Sequence, residues 1–170
     1  LFLRPRDLTF DRETALLIAK LGIPTAIQST ILSVGSLFMQ RLVNSFGSDM
    51  MAAYTAAGRI ESFVSMPIIS FNIAMSTFTG QNMGAGQPER VKRGLLETLI
   101  MSAAITVVIS VLIITLAKPL VGLFGCTDAS LDIGVRYLKF MAAWLIVFDV
   151  LFVIKGLLHG AGDVTVPTII

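Results

Sequence analysis

Four runs of predominantly apolar residues, each long enough to cross a bilayer, constrain this chain more than any other feature. A membrane-crossing helix needs about 20 mostly apolar residues. Stretches of that kind lie within residues 11–46, 50–83, 88–117 and 129–158. A fifth apolar run opens at Val164 and reaches only Ile170, too few residues for a span, so the chain reads as truncated at this end. Composition agrees with lipid as the solvent. Of 170 residues, 55% are hydrophobic and 14% charged, against roughly 25% charged in an ordinary soluble domain. A buried core does not absorb the difference, because a domain of this size still exposes much of its residue set. The expected fold class is all-α: a polytopic membrane helix bundle with four complete transmembrane helices and the start of a fifth.

The boundaries carry their own chemistry. Thr9 or Asp11 can cap the first helix, and Pro24 within it predicts a kink. Gly47-Ser48-Asp49 is a short break of the kind that joins antiparallel neighbours. Pro67 predicts a bend in the second helix, which Gly84-Ala85-Gly86-Gln87-Pro88 then ends. Pro88 and Glu89 suit the first turn of the third helix, and Lys118-Pro119 is expected to stop it. Leu120 to Cys126 reads as an apolar linker, with Thr127 or Asp128 capping the fourth helix. Gly160-Ala161-Gly162-Asp163 reads as a turn.

Several function classes are disfavoured at this stage. Net charge is +2 and no basic stripe interleaves with aromatics, which argues against nucleic acid as a partner. One cysteine, Cys126, permits no internal disulfide and no cysteine zinc cluster, and the single histidine, His159, excludes most histidine metal sites. The segment from Gly80 to Gly86 has the glycines of a phosphate cradle but neither a preceding strand nor a P-loop lysine, so it reads as a helix terminator. No nucleophile–base–acid constellation is present, and the chain is not read as an enzyme. Orientation follows the Lys/Arg balance. Arg4, Arg6, Arg12, Lys20, Arg90, Lys92, Arg93 and Lys155 fall on one side, and Arg41, Arg59, Lys118, Arg136 and Lys139 on the other. The excess places the N-terminus and the Arg90–Arg93 turn in the cytoplasm.

Charged groups inside spans are costly and need a reason. Asp149 sits within the apolar stretch Tyr137 to Ile154. Two readings stand: a structural hydrogen bond to a neighbouring helix, or a cation or proton site facing a water-filled cavity. Glu61 and Arg59 lie two residues apart, on opposite helix faces, and are not expected to pair with each other. Arg59 reads as a structural anchor. Gly58, Glu61, Ser65, Asn72, Ser76 and Thr79 make one small and polar face on the second helix. Thr25, Ser29, Ser33, Ser36, Gln40 and Asn44 make another on the first. Small residues serve close packing; Gln40, Asn44, Glu61 and Asn72 point as well to the wall of an aqueous cavity. The methionines and phenylalanines read as lipid-facing or packing bulk.

These segments resemble one family. Gly22-Ile23-Pro24-Thr25-Ala26-Ile27-Gln28 looks like the opening of the seventh helix of multidrug and toxic compound extrusion (MATE) transporters. The run from Ala52 to Glu61 is similar to the following helix, and Gly80 through Gly94 resembles the loop after it. Gly156 to Asp163, with Pro167, matches the turn after the tenth helix. The resemblance covers essentially the whole chain. It implies twelve helices in two six-helix lobes, of which residues 1–170 are a partial C-terminal lobe: helices seven to ten and the start of eleven. It also implies export of cationic amphiphilic compounds in exchange for Na⁺ or H⁺. Sodium-linked members carry a glutamate on the seventh helix at a place that corresponds to Leu32 here, so that ligand is missing. Asp149 is the nearest match to an acidic residue on the tenth helix, about one residue out of register when aligned through Gly156. Arg59-Ile60-Glu61 looks more like the DinF-type branch, in which a first-lobe aspartate is implicated in proton coupling.

The resulting expectation is a secondary active antiporter of a bacterial-type inner membrane, inactive as this fragment alone. Glu61, Asp149, Gln40, Asn44 and Asn72 are its substrate- or ion-binding residues, and Arg59, Pro24 and Pro67 its structural intramembrane residues. It needs no cofactor beyond the coupling ion. Its partners are membrane lipid, small organic cations and the missing N-terminal lobe of the same chain. The alternatives are a lipid-linked precursor flippase of related architecture, whose anionic substrate calls for several cavity cations, and a non-transporting membrane scaffold.

Overall fold

The structure is a computed structural model that describes residues 11–163, with the side chains of Leu17 and Leu21 excepted. The apolar run expected to open a fifth helix at Val164 lies outside the described residues, as do Arg4 and Arg6. Four helices follow one another: α1 (Arg12–Ser45), α2 (Ser48–Gly84), α3 (Pro88–Gly122) and α4 (Asp128–Gly160). They hold 34, 37, 35 and 33 residues, or about 50–55 Å each at 1.5 Å per residue. That exceeds a hydrocarbon core of about 30 Å, so each helix can carry its polar ends into the headgroup layers. All four are long and apolar enough to cross a membrane.

Local chemistry sets most ends. The Asp11 carboxylate caps α1, accepting from the amides of Glu13 and Thr14 at 3.2 Å and from the Thr14 hydroxyl. These bonds, the Thr14 hydroxyl first, hold its carboxyl below the usual range. Gly47 (φ 98°) and Gly86 (φ 68°) make the turns after α1 and α2 in a backbone region that disfavours a Cβ. Thr127 caps α4 by accepting from the Ser130 amide at 3.3 Å, and its hydroxyl donates to Asp49 at the start of α2 at 2.8 Å.

Pro24 and Pro67 lie inside continuous helices. Pro119 does not stop α3 at Lys118; the helix runs on to Gly122. Pro119 withholds one amide from the Thr115 carbonyl. Beyond it Val121 is fully buried, and the Leu123 amide reaches back to the Pro119 carbonyl at 3.1 Å. Burial of that last turn outweighs one missing hydrogen bond.

The core lies among α2, α3 and α4. Three polar contacts run in the same order along α2 and α4: Asp49 to Thr127, Glu61 to Tyr137, and Asn72 to the backbone of Phe152. The two helices are therefore parallel, with α3 returning antiparallel against both. Close approach rests on glycine. A Cβ on Gly156 would stand 2.4 Å from the Asn72 carbonyl oxygen, and one on Gly160 would stand 2.2 Å from that of Ser76. The spacing of four places both glycines on one face of α4. By contrast α1 stands apart. Of its described side chains only Val43 is buried. The start of α1, the end of α2, the start of α3 and the end of α4 share one end of the bundle, with Arg12, Lys20, Arg90, Lys92 and Arg93. We call it the basic end.

Candidate functional site

Two apolar clusters fill the α2–α3–α4 interior. The larger joins Ile60, Val64 and Ile68 to Ile113, Ala117 and Val121 and to Leu138, Ala142 and Leu145. The smaller, toward the basic end, joins Met75, Val91 and Val153 with Phe71, Phe78, Leu95 and Leu99. Between them lies one polar layer. On α4 the buried stripe reads Leu145, Asp149, Val153, so the carboxylate takes the step that separates the clusters. On α3 Ser102 and Thr106 stand beside it.

Asp149 has no exposed surface. Neither carboxylate oxygen has a partner in good hydrogen-bond geometry, although the Ser102 and Thr106 hydroxyls are its polar neighbours; the Ser102 hydroxyl donates to the Leu99 carbonyl at 3.3 Å. Asp149 is eleven residues before the end of α4 at Gly160, about 16 Å along the helix. A buried ionised carboxylate without hydrogen bonds is unfavourable by several kcal/mol or more. A bound proton, or a cation shared with the two hydroxyls, offsets that cost.

Sequence reasoning did not single out Ser102 or Thr106. The signal was available: Thr98, Ser102, Thr106 and Ser110 repeat every fourth residue through the otherwise apolar stretch 98–110 of α3. The same stripe places the Ser110 hydroxyl on the Ala142 carbonyl at 2.9 Å.

The other expected residues separate into two groups. Gln40 lines a cleft of about 300 Å³ with Tyr54, Thr55, Gly58, Arg59 and Ser62. Asn44 lines a larger one, about 950 Å³, at the end opposite the basic end, with Asp49, Thr55, Arg59, Thr127 and Ser130 among its walls. Arg59 belongs to both clefts, and among the described residues no carboxylate forms an ion pair with it. Glu61 turns toward α4 and accepts from the Tyr137 hydroxyl at 2.9 Å. Tyr137 in turn meets Tyr54 edge-on, ring centroids 6.2 Å apart. Tyr54 is also a wall of the cleft that holds Gln40, whereas Glu61 is not among that cleft's lining residues. Asn72 lies deeper in the α2–α4 seam and donates to the Phe152 carbonyl at 2.6 Å. The structure does not bring Asn72 and Asp149 to the clefts with Gln40 and Asn44. Among the described residues no group of three or more His, Cys, Asp or Glu side chains could hold a metal ion.

The MatE family model matches residues 24–170. The probable multidrug resistance protein YoeA of Bacillus subtilis is 29% identical over 165 residues, covering 97% of this chain and 36% of that protein. YpnP of the same organism, also named a probable multidrug resistance protein, is 32% identical over 150 residues, covering 88% of this chain and 34% of YpnP. The probable multidrug resistance protein NorM of Thermotoga maritima is 25% identical over 153 residues, 90% of this chain and 33% of that protein. The chain therefore spans about a third of the length of these relatives.

Proposed function

This chain belongs to the MatE family of multi-pass membrane proteins, and from that premise we propose that it is part of a secondary active antiporter exporting cationic amphiphilic compounds in exchange for H⁺ or Na⁺. The observation that carries the reading is Asp149: a fully buried carboxylate, without hydrogen bonds, between two apolar clusters. Such a group holds a proton or a cation in one state and must be rehydrated or re-paired to release it. Coupling the two conditions to opposite openings of a cavity is what an antiporter requires. The names of the relatives support small organic compounds as cargo.

Each element has a place in this scheme. The clefts lined by Gln40 and Asn44 form one wall of the substrate cavity. Glu61, poised behind Tyr137, attracts the cationic cargo. A second lobe of the same protein completes the cavity, and rocking of the lobes exposes it alternately to either side. The basic end faces the cytoplasm of a bacterial inner membrane, following the Lys/Arg excess. A lipid-linked precursor flippase is a poorer fit, because Arg59 is the cation common to both clefts and no second one joins it there among the described residues.

The test uses the full-length protein in liposomes, with uptake of a fluorescent organic cation driven by an imposed Na⁺ gradient and, separately, by a pH gradient. One gradient drives uptake in the unaltered protein, and Asp149→Asn abolishes it. Wild-type rates in both Asp149→Asn and Glu61→Gln would remove these residues from the mechanism, and no uptake under either gradient would remove the antiporter reading.

A further inference from the structure

Glu61 borders the cleft that holds Gln40 without lining it, and one hydrogen bond holds it aside. We propose that Tyr137 of α4 is a latch on Glu61: a positioning residue that keeps the carboxylate out of the cleft until an organic cation draws it in. The proposal rests on the reading of Glu61 as the group that attracts cationic cargo.

The Tyr137 hydroxyl donates to Glu61 Oε2 at 2.9 Å, and its ring meets Tyr54 edge-on at 6.2 Å. Tyr54 and Glu61 are seven residues apart, about two turns along one face of α2. Tyr137 therefore lies along that face from one to the other. Among the described residues no cationic side chain forms an ion pair with Glu61. Arg59, two positions away, projects from another side of α2. The phenol supplies one donor and no charge, so the carboxylate is held but not neutralised.

The way into the cleft is open on α2 itself. A helical side chain lies over the turn N-terminal to its own Cα, which for Glu61 means Ala57 and Gly58. Ala57 is fully buried. Gly58 lines the cleft, and a Cβ built on it would meet nothing within 4 Å among the described residues. Rotation about the first bonds of the Glu61 side chain carries the carboxylate from Tyr137 to the space over Gly58. That space falls in the row Tyr54, Gly58, Ser62, which steps by four along the helix. With Glu61 latched, Arg59 is the charged side chain among the described walls of this cleft. Entry of the carboxylate turns its net charge from positive to neutral, and so from repelling a cation to admitting one. The ring of Tyr54 then offers a π face to the same cation. A carboxylate beside an aromatic ring suits a quaternary ammonium or phosphonium, which has no hydrogen-bond donor of its own.

Equilibrium dialysis of radiolabelled tetraphenylphosphonium against the full-length protein in detergent tests the proposal. Tyr137→Phe keeps the ring beside Tyr54 and loses the hydroxyl. It binds the probe about fivefold more tightly than the unaltered protein, because the cation no longer has to displace a hydrogen bond. The gain vanishes when Tyr137→Phe is combined with Glu61→Gln, and again when it is combined with Gly58→Leu, which fills the space over Gly58. Gly58→Leu alone, with the latch intact, binds more weakly than the unaltered protein, and tests the swing independently of Tyr137. Weaker or unchanged binding in Tyr137→Phe, as a merely structural tyrosine would give, overturns the latch. So does a gain that survives Glu61→Gln or Gly58→Leu, or full binding in Gly58→Leu alone. Failure of the cargo reading has a different signature: the unaltered protein binds no probe, or Glu61→Gln binds it equally well, and the latch then falls with that reading.

Discussion

At the scale of the residue, Asp149 is the buried carboxylate on which the proposed ion coupling rests. Both carboxylate oxygens are buried without a partner while the flanking Ser102 hydroxyl is engaged elsewhere. Replacing the carboxylate by the nearly isosteric amide removes the charge and leaves the volume. Asp149→Asn is therefore expected to keep or raise thermal stability, by up to about 1–3 kcal/mol. It is also expected to lower gradient-driven uptake about tenfold or more. Thermal unfolding and uptake measured on the same preparation check this. A variant that unfolds earlier in proportion to its lost uptake would identify Asp149 as a packing residue. The sequence exposed Asp149 because a charge among apolar residues is conspicuous at any register. It hid Ser102 and Thr106, because hydroxyls inside transmembrane helices commonly satisfy themselves on their own helix, as Ser33, Ser62 and Thr115 do here.

At the scale of the element, the parallel pair α2–α4 organises the bundle, and its contact depends on the absence of side chains. Gly156→Ala would drive a Cβ to 2.4 Å from a backbone oxygen of α2, which cannot swing aside as a side-chain tip can. The expected loss is about 1–3 kcal/mol. Gly58→Ala, on α2 where nothing lies within 4 Å of the added carbon, should be neutral or stabilising by up to about 1 kcal/mol. Unfolding of the two variants side by side in one detergent checks the contrast, and equal effects would mean that the seam is not glycine-limited. Helix positions were legible because length and hydrophobicity suffice to find them. The end of α3 was not, because Pro119 is a local signal and the burial of Val121 against Gly134 is a tertiary one. The small and polar face of α2 was legible as a face, but its partner was not. Periodicity says which residues share a side of a helix and not what that side meets. Asn72 shows the consequence: a polar residue read as cavity lining spends its amide on the Phe152 carbonyl.

At the scale of the whole molecule, the three-helix core and the outlying α1 divide the polar residues by accessibility. Gln40 and Asn44 sit on exposed positions of α1 along clefts that hold Arg59. Asn72 sits in the seam and Asp149 in the interior. If the clefts are the wall of an aqueous cavity, water must reach the first pair and not the second. Cys126, the one cysteine of these 170 residues, lines the larger cleft and is replaced by serine before the experiment, together with any cysteine elsewhere in the full-length protein. Cysteines introduced one at a time at Gln40, Asn44 and Asn72 of the full-length protein are then exposed to a membrane-impermeant maleimide. Labelling at 40 and 44 from the side opposite the Arg90 turn, with none at 72, is the expected pattern. A cationic substrate in excess should slow the first two, because both positions flank the volume it occupies. Uniform protection of all three would turn the clefts into lipid-filled packing defects and favour a scaffold over a transporter. Uniform labelling would open the α2–α4 seam that the glycines hold shut.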